Sequence, residues 1–183
     1  MWNEKRKVNR SLKKRWEMKY ITEVFQGEAD RALRKQDWPT FEAGAFLPSG
    51  SVCMIGKDNV AKLYDAASNA VPHFVFKGNN EVGVLSEVGN IAGGIMTTLP
   101  CTGNYRVHTC VFAQGEGIEY AINDFVTVAQ GDINGQGTTS MFTKEGATPY
   151  TSVIAGVVYA PVYKDQMGNN TLSVDLMFLP KQG

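Results

Sequence analysis

The sequence predicts a mainly β protein: a small β-sandwich or barrel-like domain over residues 44–183, preceded by a helical, basic N-terminal arm over residues 1–43. Three observations carry this expectation. From about residue 44 onward, short apolar stretches alternate with Gly, Asn and Asp clusters, the pattern of strands joined by tight turns. Ahead of that point, apolar residues recur at helical spacing. Charge divides along the same line. Residues 1–20 hold eight Lys and Arg against Glu4 and Glu17, a net +6, and the rest of the chain holds ten basic and sixteen acidic residues, a net −6.

Residues 8–26 read as an amphipathic helix. Leu12, Trp16, Tyr20 and Val24 follow one another at i, i+4, with Ile21 and Phe25 beside them. Lys13, Lys14, Arg15 and Lys19 fill other positions on the wheel. Asn9 or Ser11 is the expected cap, Gly27 the stop, and Trp38-Pro39 breaks any helical continuation, because the residue before Pro is pushed out of the α region. An arm of this length has no core of its own. Its stripe is expected to rest on the chain's own body or on a neighbour, so Leu12, Lys13, Lys14, Arg15, Trp16, Lys19, Tyr20, Val24 and Phe25 are the expected partner-binding residues. A basic segment suits an acidic surface or nucleic acid. Cations interleaved with Trp2, Trp16 and Tyr20 also suit single strands, through backbone attraction and stacking, so nucleic acid is the second candidate partner. The bland alternative is a solvated face that only keeps the chain soluble.

In the body, the expected strands are Ser51–Ile55, Val60–Tyr64, His73–Phe76, Val82–Leu85, Tyr105–Phe112, Phe125–Ala129, Thr138–Phe142, Val153–Tyr159 and Thr171–Leu179. In the last, Leu172, Val174, Leu176 and Phe178 share one face, and Thr171, Ser173, Asp175 and Met177 share the other. Turns are expected at 77–80, 93–94, 102–104, 131–135 and 167–170, all rich in Gly, Asn or Asp.

Motifs for catalysis are absent from the sequence. There is no P-loop, GxGxxG, GxSxG or HExxH, and the glycine pairs at 115–117 and 135–137 read as turns. His108 and Cys110, two apart in an expected strand, share a face, but no paired cluster completes a zinc set. The same two residues could meet as a nucleophile pair, but as i, i+2 neighbours in a strand they are expected only to pack. Glu116 and Glu119 have the spacing of paired acids but lie in what reads as an exposed hairpin loop, and Asp124 reads as a turn residue bonding local backbone. The expectation is therefore a binding protein, neither an enzyme nor the holder of a cofactor or metal. Cys53, Cys101 and Cys110 are odd in number and lack a CxxC, which fits buried thiols made in a reducing cytosol. No apolar run approaches the roughly 20 residues of a membrane span, and no apolar stretch of a signal peptide follows the charged start.

Five segments carry a family resemblance over about residues 45–180: the opening Leu47-Pro48-Ser49-Gly50-Ser51-Val52, the strand Tyr105-Arg106-Val107-His108-Thr109, the run from Tyr120 to Val128, the strand Val153-Ile154-Ala155-Gly156-Val157-Val158, and the closing alternating strand. Together they resemble the small decoration, or cement, proteins of tailed-phage heads. Asn123-Asp124 departs from the Gly-Asp common there, and the arm is longer and more basic. The resemblance implies a non-enzymatic virion protein, made in the host cytoplasm. Such a protein binds the major capsid protein on the capsid surface, stabilises neighbouring capsomers, and works as a homo-oligomer, often a trimer.

Overall fold

The computed structural model describes residues 22–26, 39–75, 89–102, 105–132, 137–146, 152–166 and 168–182. In chain order the strands are β1 (Thr22–Gln26), β2 (Thr40–Ala43), β3 (Leu47–Pro48), β4 (Val52–Ile55), β5 (Val60–Leu63), β6 (His73–Val75), β7 (Gly89–Asn90), β8 (Ile95–Pro100), β9 (Tyr105–Thr109), β10 (Phe125–Asp132), β11 (Thr138–Lys144), β12 (Ile154–Lys164) and β13 (Asn170–Leu179). The described residues include no helix.

Two β units share one core. A six-stranded antiparallel sheet runs β1-β9-β13-β12-β10-β11, and β2-β5-β4-β6-β8 close into a five-stranded barrel. The period of two explains how they fit. Cys53, Val75 and Met96 turn into the barrel with Ala43, Leu47 and Ala61. Their strand neighbours Val52, Phe74 and Leu99 turn outward, onto Val107, Val126, Phe142, Leu172, Val174 and Leu176 of the sheet. Phe74 stacks on Phe142 at 6.2 Å between ring centroids. Polar bonds cross the same seam: the Tyr64 N–H donates to Ser140 Oγ at 2.8 Å, and Gln130 Nε2 donates to the Tyr64 carbonyl at 2.7 Å. Burying each large side chain here contributes about 1.5–3 kcal/mol, so barrel and sheet hold each other.

The Leu47–Val52 segment becomes a buried turn. Gly50 has φ +88°, a conformation that favours glycine, and the Ser51 N–H donates back to the Pro48 carbonyl at 3.1 Å. Thr109 Oγ1 donates to the Gly50 carbonyl at 2.8 Å, tying the turn to the sheet.

The expected helix over residues 8–26 is corrected at its end. Thr22–Gln26 is a strand, paired residue for residue with β9 from Thr22↔Thr109 to Gln26↔Tyr105. β9 has an open edge of backbone donors and acceptors, and a segment with Thr, Val and Phe suits a strand. That pairing outweighs a local helical period. Residues 8–21 lie outside the described residues, as do 27–38 and the expected strand Val82–Leu85.

In β13 the expected core face holds, with Leu172, Val174 and Leu176 buried. Thr171 and Ser173 are buried as well, because the other face is covered at that end. β12 runs five residues past the expected Tyr159 end, through bulges between Val158 and Tyr163, and Pro161 sits where the ladder is irregular and needs no donor.

Candidate functional site

The outer face of the six-stranded sheet gathers the most chemistry. Directly opposed residues of an antiparallel ladder share a face. The register aligns Arg106 with Asp175, Asp175 with Val157, and Val157 with Phe125, a row across β9, β13, β12 and β10. Their neighbours Val107, Val174 and Val158 line the core, so this row faces outward. Arg106 Nε and Nη2 donate to the two carboxylate oxygens of Asp175 at 2.7 and 3.0 Å, a bidentate pair. Tyr159, displaced by the bulge in β12, lies under the guanidinium, with Arg106 Cζ 3.0 Å from the ring centroid. Tyr159 is 49% exposed and Phe125 42%.

A second row lies beside the first. His108 Nδ1 is 2.6 Å from Tyr163 Oη and 3.1 Å from Ser173 Oγ, and the His108 and Tyr163 rings meet edge to face. The His108 ring covers Ser173. Arg and Tyr side chains held by mutual bonds, beside exposed aromatic area, are residue types enriched at protein–protein interfaces.

A cleft of about 480 Å³ opens at the end of the same sheet, lined by Phe112, Gln114, Ile118, Glu119, Tyr120, Val162 and their neighbours. Its floor is fixed: Phe112 and Tyr120 meet edge to face at 5.4 Å, and Tyr120 Oη donates to the Ala113 carbonyl at 2.8 Å. Burial raises the Tyr120 phenol above its usual value, which keeps it a donor. Asn170 Nδ2 donates to Gln114 Oε1 at 2.8 Å and closes one end.

Of the sequence-predicted partner-binding residues, Leu12, Lys13, Lys14, Arg15, Trp16, Lys19 and Tyr20 lie outside the described residues. Val24 and Phe25 fall in β1, in register with Val107 and Arg106, so a helical stripe does not reach these two positions. The arm's range therefore supplies a strand to the edge of the candidate face. His108 belongs to the outer face, whereas Cys110 lies past the end of β9 and packs with Val111 and Met141. Among the described residues, no three His, Cys, Asp or Glu are grouped to hold a metal ion. Glu116 and Glu119 are exposed in the 113–124 segment. That segment is a crossover and not the expected hairpin loop, since β9 and β10 do not pair. Asp124 behaves as expected: its Oδ2 accepts from the Ala121 N–H at 2.7 Å. A Lys144 ammonium at 2.8 Å also holds it, lowering its pKa.

Sequence reasoning missed the Arg106–Asp175–Tyr159 group. The available signal was the alternation in Tyr105–Thr109, which sets Arg106 and His108 opposite the buried Val107 and Thr109. No helix among the described residues is long and apolar enough to cross a membrane. Comparison with known proteins gave no match: neither a family model, nor a curated protein, nor a solved structure matches this chain.

Proposed function

We propose that this chain is a virion structural protein that binds the outer surface of a phage capsid and cements neighbouring capsomers, as a homo-oligomer. The observation that carries the reading is the outer sheet face, where a bidentate Arg106–Asp175 pair on Tyr159 stands beside the exposed Phe125. Such a face is ordered before it binds, so docking costs little conformational entropy. The resemblance of residues 45–180 to head decoration proteins points the same way. A ligand that binds the assembled shell and not its free subunits stabilises the assembly by mass action, and many copies on a lattice multiply a modest contact.

The test is quantitative mass spectrometry and immunogold labelling of purified heads from the virus that encodes the chain. The expected result is a fixed ratio of this chain to the major capsid protein, with label on the outer surface. Arg106→Ala and Tyr159→Ala should lower that occupancy. A chain absent from heads, and held on a nucleic-acid column in a steeply salt-dependent way, would replace this reading with nucleic-acid binding through the basic arm.

A further inference from the structure

We propose that the cleft lined by Phe112, Ile118, Tyr120 and Val162 is the seat of the chain's own N-terminal segment, residues 1–21, which enters it through Trp16 and Tyr20. Three observations support this, independently of the capsid reading.

The first is where the segment begins. β1 starts at Thr22, opposite Thr109, the last residue of β9. On the other side of Thr109 lies Leu172 of β13, two residues from Asn170 at the cleft. Strands lie about 4.8 Å apart, so Thr22 stands roughly two strand spacings from the cleft's side of the sheet. Going back from Gln26 to Thr22, β1 runs from Tyr105 towards Thr109, and from Thr109 the chain continues to Phe112 in the cleft wall. Thr22, where the segment joins the sheet, therefore stands at that end.

The second is the character of the cleft. Ile118 and Val162 are 37% and 36% exposed on its wall. It is a shallow depression of about 480 Å³, open to solvent on one side. Leu12, Trp16 and Tyr20 supply apolar groups from a short stretch of chain.

The third is charge. Residues 1–20 carry a net +6. Glu116 and Glu119 stand exposed on the cleft loop, and the nearby Lys144 ammonium is held by Asp124. Apolar burial anchors the segment, and the two carboxylates favour a basic occupant over an acidic one.

Trypsin tests this on the full chain, because the segment holds eight Lys and Arg, the last of them Lys19. Intact-mass spectrometry follows the cut after Lys19. Ile118→Asp and Val162→Asp change exposed residues, so the fold should survive, which a thermal melt checks. Each should speed the cut about tenfold, as expected when cleavage tracks the population of the undocked segment. Trp16→Ala, which leaves the body intact, should do the same, and Glu116→Lys with Glu119→Lys should give a smaller increase that salt removes. Equal rates in the parent and all these variants would overturn the proposal. Protection in the parent that weakens on dilution would overturn it too, by assigning the seat to the arm of a second copy.

Discussion

The guanidinium carbon of Arg106 lies 3.0 Å from the centroid of the Tyr159 ring, although the two residues belong to strands that do not pair with each other. Between them runs β13, whose Asp175 holds the other edge of the guanidinium. A bulge brings Tyr159 across that strand, and the result is a planar cation fixed from two sides on an open surface.

That arrangement should matter more for binding than for stability. The Arg106 and Asp175 side chains are 33% and 47% exposed, and such pairs contribute only about 0–1 kcal/mol. A double-mutant cycle with Arg106→Ala and Tyr159→Ala, read by urea melts, should give a coupling of about 0.5–1 kcal/mol. Arg106→Lys should keep only part of it, because an ammonium lacks the planar guanidinium that stacks on the Tyr159 ring while two of its nitrogens stay bonded to Asp175. A coupling of several kcal/mol would mean that the group is a structural keystone instead.

Gly156 should be intolerant of any side chain. A Cβ built there would stand 2.9 Å from the Asp175 carbonyl oxygen and would also collide with Val174 Cγ1. The backbone oxygen cannot move without disturbing the β12–β13 ladder. Gly156→Ala should therefore lower unfolding free energy by about 1–3 kcal/mol, measured by chemical denaturation, and Gly156→Val by more.

The cysteines should separate by reactivity. Cys53 and Cys101 are fully buried, and burial pushes both thiols far above their usual pKa, so neither forms thiolate at neutral pH. Cys110 is half-buried. A thiol reagent at neutral pH should label Cys110 first, and Cys53 and Cys101 only at the rate of unfolding. Cys53→Ala or Cys101→Ala should cost about 1–3 kcal/mol, as small core truncations do. Fast labelling of Cys53 in the folded chain would contradict the closed barrel.

Acid should weaken the barrel through His73. Burial pushes its pKa down to about 4, with Nδ1 3.0 Å from Thr98 Oγ1 and the Phe41 ring edge-on at 5.8 Å. The unfolded histidine titrates near 6.5. Between that value and about 4 the unfolded state binds the extra proton, so stability falls as pH drops through this window and is level above it. The slope from this one group is at most about 1.4 kcal/mol per pH unit. Melts of the parent and His73→Gln from neutral pH to pH 4 should show a steeper slope in the parent, with the remainder near pH 4 coming from carboxylates such as Asp124. A slope unchanged in the variant would assign the acid sensitivity to other groups.

Most of the strands were legible from local pattern. β4, β5, β6, β10, β11 and β13 fall within a few residues of their expected spans, because alternating apolar positions and turn residues act over a few neighbours. β8 was missed: Ile95–Pro100 holds two Thr and ends in Pro, which blurs the alternation. The full length of β12 was missed because Pro161 reads as a stop, and only the bulge makes it compatible with a strand. The candidate face was less legible still. Arg106 and Asp175 are 69 residues apart, and nothing in either segment names the other.

By itself, the sequence determined the β character of the body, the core face of β13 and the turns at Gly93 and Gly168, since each depends on side-chain period and backbone preference within a short window. It also determined the division of charge, with +6 in the first twenty residues. Only the tertiary structure decided that Thr22–Gln26 is a strand, that five strands close into a barrel, and that Arg106, Asp175 and Tyr159 meet. Those outcomes depend on which open edge a strand finds and in what register. Ladder hydrogen bonds between distant segments set that choice, and a shift of one residue would turn every side chain of the strand to the opposite face.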